Sequence, residues 1–159
     1  MSSPQVQRVV AKNLEAHAVD ILLVEDSPSD AMMTREALEY SKVVNRLHIV
    51  DDGVEAMDFL QRKGKYVEAP RPGLVLLDLN LPRKNGLEVL REIKGDSSLR
   101  MIPVIVLTTS KAEEDVVKSY GAHANCYVSK PIEFAKLAEA VRAISEFWLC
   151  VVTLPPENK

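Results

Sequence analysis

Gly73-Leu74-Val75-Leu76-Leu77-Asp78-Leu79-Asn80-Leu81-Pro82 is the stretch that decides the fold. Four apolar residues in a row, Leu74 to Leu77, predict a strand buried on both faces. Asp78 follows at once. Pro82 and Gly86 then break the pattern before Leu87, Leu90 and Ile93 begin a helical period. A carboxylate at the carboxyl end of a buried parallel strand lies where open α/β sheets bind ligands. A lone Asp there more often only ends a strand, so the other strand ends must decide its role.

The same unit recurs on both sides. Upstream, Val19–Val24 predicts a buried strand that ends in Glu25-Asp26, and Ser27-Pro28-Ser29-Asp30 supplies helix-start signals. Met33, Ala37 and Leu38 give that helix an apolar face. Arg46–Val50 is a second strand, Asp51-Asp52-Gly53 a turn, and Val54, Met57 and Leu60 mark a second helix. The connection 62–73 is longer than a compact α/β unit needs. Downstream, Ile102–Leu107 predicts a fourth strand ending in Thr108. Val116, Val117 and Tyr120 mark a fourth helix. Ala124–Val128 is a fifth strand before Ser129-Lys130-Pro131, and Phe134 to Trp148 has helical spacing. Five rounds of strand then helix predict an α/β fold with a parallel sheet covered on both faces.

All strand carboxyl ends of such a sheet share one edge, so Glu25, Asp26, Asp78, Thr108 and Lys130 gather there from across the sequence. Three converging carboxylates repel unless a cation joins them. Hard oxygen donors without a nearby His or Cys pattern point to Mg²⁺, whose usual substrate is phosphate. An aspartate can act as the nucleophile toward phosphorus. In this reading Asp78 attacks, Glu25 and Asp26 hold the metal, Lys130 pairs with a phosphoryl oxygen and Thr108 hydrogen-bonds another. Taken singly, each has a plainer use: loop acids, a strand-end hydroxyl, a solvated lysine.

The chain has 159 residues and a formal net charge of −3, which suits one domain and gives no reason to expect nucleic acid or an anionic membrane as partner. Cys126 and Cys150 make no metal or redox spacing, and Cys126 reads as a buried thiol in a reducing, cytoplasmic setting. No signal peptide is expected, and no stretch approaches the roughly 20 apolar residues that span a bilayer. Residues 1–18 read as a leader or a short helix on Val6, Val9 or Val10, and Leu14. Trp148, Leu149, Val151, Val152 and Leu154 exceed what the last helix should bury, which predicts a symmetric homodimer.

With these residues assembled, residues 19–149 resemble the response-regulator receiver domain of two-component signalling. The matching stretches are Ile21–Asp26, Val75–Pro82 with Gly86, Pro103–Thr108 and Tyr127–Pro131. The resemblance implies a flavodoxin-like, doubly wound (βα)5 sheet in the order 2-1-3-4-5, an order the family shares with other proteins of that class. It implies that Asp78 is the phosphoacceptor, that Glu25 and Asp26 are the acidic metal pair, and that Asn80 gives its backbone carbonyl to Mg²⁺. Thr108 falls on the switch hydroxyl, Lys130 on the phosphoryl-sensing lysine and Tyr127 on the switch aromatic. Glu25 departs from the commoner Asp. The long 62–73 connection, the Asp78-Leu79-Asn80-Leu81-Pro82 phrase and the expected absence of an output domain are similar to the small regulators paired with cyanobacterial phytochromes, which implies a phytochrome histidine kinase as partner. On this reading the protein is a signalling switch and not an enzyme. The rivals are a haloacid-dehalogenase-type phosphatase, whose second Asp is replaced here by Asn80, and a docking module that takes no phosphoryl group.

Overall fold

The apolar run Leu74–Leu77 forms a strand, β3, and all four side chains are buried. The structure is a computed structural model that describes residues 3–7 and 18–156. Around β3 the chain alternates β1 (Val19–Val24), α1 (Pro28–Glu39), β2 (Asn45–Val50), α2 (Gly53–Gln61), β3, α3 (Gly86–Gly95), β4 (Val104–Thr108), α4 (Glu113–Gly121), β5 (Cys126–Ser129) and α5 (Phe134–Ser145). A π-helical segment, Glu146–Val151, continues α5. The sheet order is β2-β1-β3-β4-β5, and every pairing is parallel. The winding reverses between β1 and β3, where Val24 pairs with Leu77. The next residue on each strand is therefore a carboxylate, Glu25 beside Asp78, at the switch point where such sheets bind ligands.

Alternation along the strands divides the core. Leu22, Val24, Val75, Leu77, Val104 and Val106 meet α2 and α3 on one face. Ile21, Leu23, Leu74, Leu76, Ile105 and Leu107 meet α1 and α5 on the other. Burial on both faces is why these strands read as unbroken apolar runs. Three helix starts are fixed by side chains at the carboxyl edge. Ser27 accepts the Asp30 N–H, Asp52 the Glu55 N–H and Asn85 the Glu88 N–H.

Several expectations shift at the periphery. The fourth helix forms, but Val117 and Tyr120 face outward and only Ser119 is buried, because α4 lies over the short edge strand β5. Cys126, expected to be buried, is half-buried on the α1/α5 face of the edge strand β5. The apolar face of α5 begins at Leu137, with Phe134 exposed. The long connection carries a 3-10 turn, Gly64–Tyr66, whose Tyr66 ring packs edge-on to Phe59 and whose hydroxyl donates to Glu55 at 2.6 Å. Trp148 and Leu149 pack against the α1/α5 core, while Phe147 and Val151 are exposed. Leu154 returns to Gly73 at the amino edge of the sheet. Residues 4–7 are helical; Val9, Val10 and Leu14 lie outside the described residues. Among the described residues no helix is long and apolar enough to cross a membrane.

Candidate functional site

Parallel strands deliver their ends to one edge, and helix amino termini begin there too. Glu25 and Asp78 are buried at the ends of β1 and β3, and Asp26 beside them is exposed, so the cluster opens to solvent on one side. One oxygen from each of the three carboxylates lies within 4.8 Å of the others. That all-oxygen set suits a hard divalent cation such as Mg²⁺.

Lys130 and Thr108 close the other sides. The buried Lys130 ammonium lies 2.6 Å from Glu25 Oε2, 2.8 Å from Asp30 Oδ2 and 3.1 Å from Asp78 Oδ2. The Thr108 hydroxyl donates to Asp78 Oδ1 at 2.8 Å, and the Asn80 backbone N–H reaches the same oxygen at 3.1 Å. Both Asp78 oxygens are thus held by donors. The Lys130 N–H also donates to the Thr108 carbonyl at 2.6 Å, which ties β5 to β4 at the site. Lys130–Pro131 is trans, as is every other described peptide bond.

The site holds four carboxylates, and one ammonium contacts three of them, Glu25, Asp30 and Asp78. Burial pushes Glu25 up to about 6, with Asp78 adding to the rise and Lys130 and the Ser27 N–H opposing it. For Lys130, burial favours the neutral amine, but its hydrogen bonds to Asp30 and Glu25 and the charge of Asp78 outweigh this and hold its pKa well above the usual lysine range. The excess negative charge is the physical reason for a cation to enter.

Tyr127 sits outside this inner set. Its hydroxyl donates to the Ser110 carbonyl at 2.9 Å, on the segment that follows Thr108, and burial raises its pKa. Its backbone N–H donates to the Tyr120 hydroxyl at 3.2 Å, so α4 caps a free edge of β5. Asn80 is exposed on the β3–α3 loop. Trp148, Leu149, Val151 and Val152 lie away from the site, at the end of the α5 extension.

Asp30 is the site residue that sequence reasoning missed. It reads as a helix-start acid. Its role shows only in the folded chain, where α1 begins at the carboxyl edge and its first turn faces Lys130. Gly86 has a second hidden role: a Cβ there would lie 2.1 Å from the Asp78 carbonyl oxygen, so the loop can return to its own root only at glycine.

A doubly wound sheet with an acidic cluster, a hydroxyl and a lysine at its switch point defines a phosphoryl-responsive class of α/β protein. The model of the response regulator receiver domain matches residues 21–142, and the chain belongs to that family of signalling proteins. It is 52% identical over 135 residues to the response regulator Rcp1 of Synechocystis sp., an alignment covering 85% of this chain and 92% of that one. The phosphorylated cyanobacterial phytochrome response regulator RcpA superposes with a TM-score of 0.85 at 48% identity, covering 87% of this chain and 99% of that one. The Mn²⁺-bound form of Rcp1 superposes with a TM-score of 0.85 at 51% identity over the same shares. Receivers similar to this chain thus include one crystallised phosphorylated and one crystallised with a divalent metal.

Proposed function

We propose that this chain is a phosphorylation switch whose receiver unit, residues 19–149, takes a phosphoryl group on Asp78 from a histidine kinase. The observation that carries the proposal is the set of donors on Asp78. Thr108 and Asn80 meet Oδ1 and Lys130 meets Oδ2, so donors already stand around the atom to which phosphorus would be joined. An Asp78 oxygen forms the new O–P bond as the P–N bond of a phosphohistidine breaks, and the electron pair leaves on the imidazole. The Lys130 ammonium then pairs with a phosphoryl oxygen, and the Thr108 hydroxyl turns from the carboxylate to another. Each move changes the link between β4 and β5, and with it the Tyr127–Ser110 contact and the α4–β5–α5 face.

Glu25, Asp26, Asp78 and the Asn80 carbonyl would hold Mg²⁺, which when bound offsets negative charge on the transferring phosphoryl oxygens. The kinase is a phytochrome on this reading. Its support is the likeness to RcpA, a phytochrome response regulator. Residues 150–159 then act as a tail, and the active form is a cytoplasmic homodimer using the α4–α5 face with Val151 and Val152, while Trp148 and Leu149 of the expected interface pack against their own core instead.

The test is intact mass after incubation with Mg²⁺ and acetyl phosphate. One phosphoryl addition is expected on the wild type and none on Asp78→Asn. Labelling that persists in the variant would sink the assignment of Asp78. Steady turnover of phosphate esters would instead favour a phosphatase.

A further inference from the structure

The β3–α3 loop that carries Asn80 is pinned at two points. At its root, Gly86 rests on the Asp78 carbonyl and donates its N–H to Leu79 O at 2.9 Å. At its tip, the loop lies on the turn between β2 and α2. A Cβ on Gly53 would lie 2.0 Å from the Lys84 carbonyl oxygen, so the two backbones touch. Beside that contact the Arg83 guanidinium donates to Asp52 Oδ2 at 3.1 Å. Arg83 has φ 64°, a left-handed conformation that a side chain other than glycine adopts only at a cost. Asp52 is buried, and its other oxygen caps α2 through the Glu55 N–H at 2.8 Å. A buried carboxylate, a strained arginine and an obligate glycine meet at one place, where the polar partners of Asp52 and Arg83 are each other and the Glu55 N–H rather than the acidic cluster.

We infer that Asp52 and Arg83 form a latch that sets the affinity of the acidic site for a divalent cation by positioning the Asn80 backbone. Asn80 lies between the two pinned points. With the tip released, the loop gains conformations in which the Asn80 carbonyl is turned away. Apparent affinity then falls in proportion to the competent fraction. The inference rests on the proposed metal role of Asn80, and Asp52 and Arg83 act only through it.

Charge alone makes a different forecast, and this separates the two explanations. Asp52→Asn removes a negative charge and would weaken cation binding by simple Coulomb attraction. Arg83→Gln removes a positive charge and would strengthen it. A latch predicts that both weaken it. Asn at position 52 can still cap α2, and Arg83 is largely exposed, so its replacement leaves the core intact.

The experiment titrates Mn²⁺ into each protein and reads free Mn²⁺ by electron paramagnetic resonance, with Asp78→Asn as the control for the site. Asp52→Asn and Arg83→Gln should each raise the Mn²⁺ dissociation constant about three- to five-fold, the upper part of the range expected for a partly exposed ion pair. Arg83→Lys should restore most of the loss. The Mg²⁺ concentration that half-saturates labelling by acetyl phosphate should rise by the same factor, with little change in the rate at saturating Mg²⁺. Tighter binding by Arg83→Gln, or wild-type binding by both variants while the wild type binds and is labelled, overturns the latch alone. A wild type that neither binds Mn²⁺ nor accepts the phosphoryl group overturns the latch and the proposed function together.

Discussion

Glu25 is a site carboxylate that burial pushes up to about 6. Its pKa is near 4.5 in an open chain and about 6 in the folded protein, chiefly because burial disfavours the carboxylate. Between those values the folded state binds more protons than the unfolded one. The stability that Glu25 contributes is therefore full below pH 4.5 and is lost as pH rises through 6. A shift of this size corresponds to on the order of 2 kcal/mol at most. Without divalent metal, thermal melts from pH 5 to 7.5 should show a larger loss in the wild type than in Glu25→Gln. Equal slopes would mean that Glu25 is already ionised at pH 5. A ligand carboxylate must be deprotonated, so Mg²⁺ should raise the melting temperature at pH 7.5 and do little at pH 5. Asp78, Thr108 and Lys130 were legible in the sequence because each follows an apolar run that fixes its place at the sheet edge. Asp30 and Asp52 were not, since helix capping accounts for an acid at either position and capping is local. Their second partners, Lys130 and Arg83, are distant in sequence and meet them only in the folded chain.

At the scale of elements, the β3–α3 connection tolerates least change. Gly86 abuts backbone at Asp78 O and Leu79 Cα, neither of which can swing aside as a side chain would. Gly86→Ala should destabilise the protein by about 2–4 kcal/mol, the scale of severe local overpacking, and should also suppress labelling of Asp78. Gly95 is the counterpart. It ends α3 with open space where a methyl group would stand, nothing lying within 4 Å of that point, so Gly95→Ala should be neutral or stabilise by up to about 1 kcal/mol. Urea unfolding of the two variants side by side measures both. An equal response would show that the loop yields freely at its root. The strands β1, β3 and β4 were legible because burial on both faces leaves an unmistakable run. The outward residues of α4 were not: Val117 and Tyr120 have the spacing of a core face, but spacing does not say what covers a face. At the edge strand β5 little of the sheet is left to cover it.

For the whole molecule, the question is what becomes of the apolar surface that one domain does not bury. Ile132 is 92% exposed and Val151 71%, and Phe134 and Phe147 are also exposed. The end of α5 divides by direction: Trp148 and Leu149 pack against the core of their own chain, while Phe147 and Val151 point away from it. Residues packed inward should act on folding, and residues pointing outward on assembly. Trp148→Ala should lower stability by roughly 2–4 kcal/mol, less than a fully buried aromatic because the residue is only partly buried. Val151→Asp should leave unfolding unchanged within about 0.5 kcal/mol, as for an ordinary surface change, yet weaken self-association. Sedimentation over a wide concentration range, with and without acetyl phosphate, tests the second half. The wild type should run as a dimer whose dissociation is shifted to higher concentration by Val151→Asp or Ile132→Asp. A wild type that stays monomeric at every concentration in both states refutes the dimer. A dimer indifferent to these two substitutions moves the interface elsewhere. A charge placed in a symmetric interface is buried once on each side of the axis, so one substitution acts twice and its effect on a real interface is hard to miss.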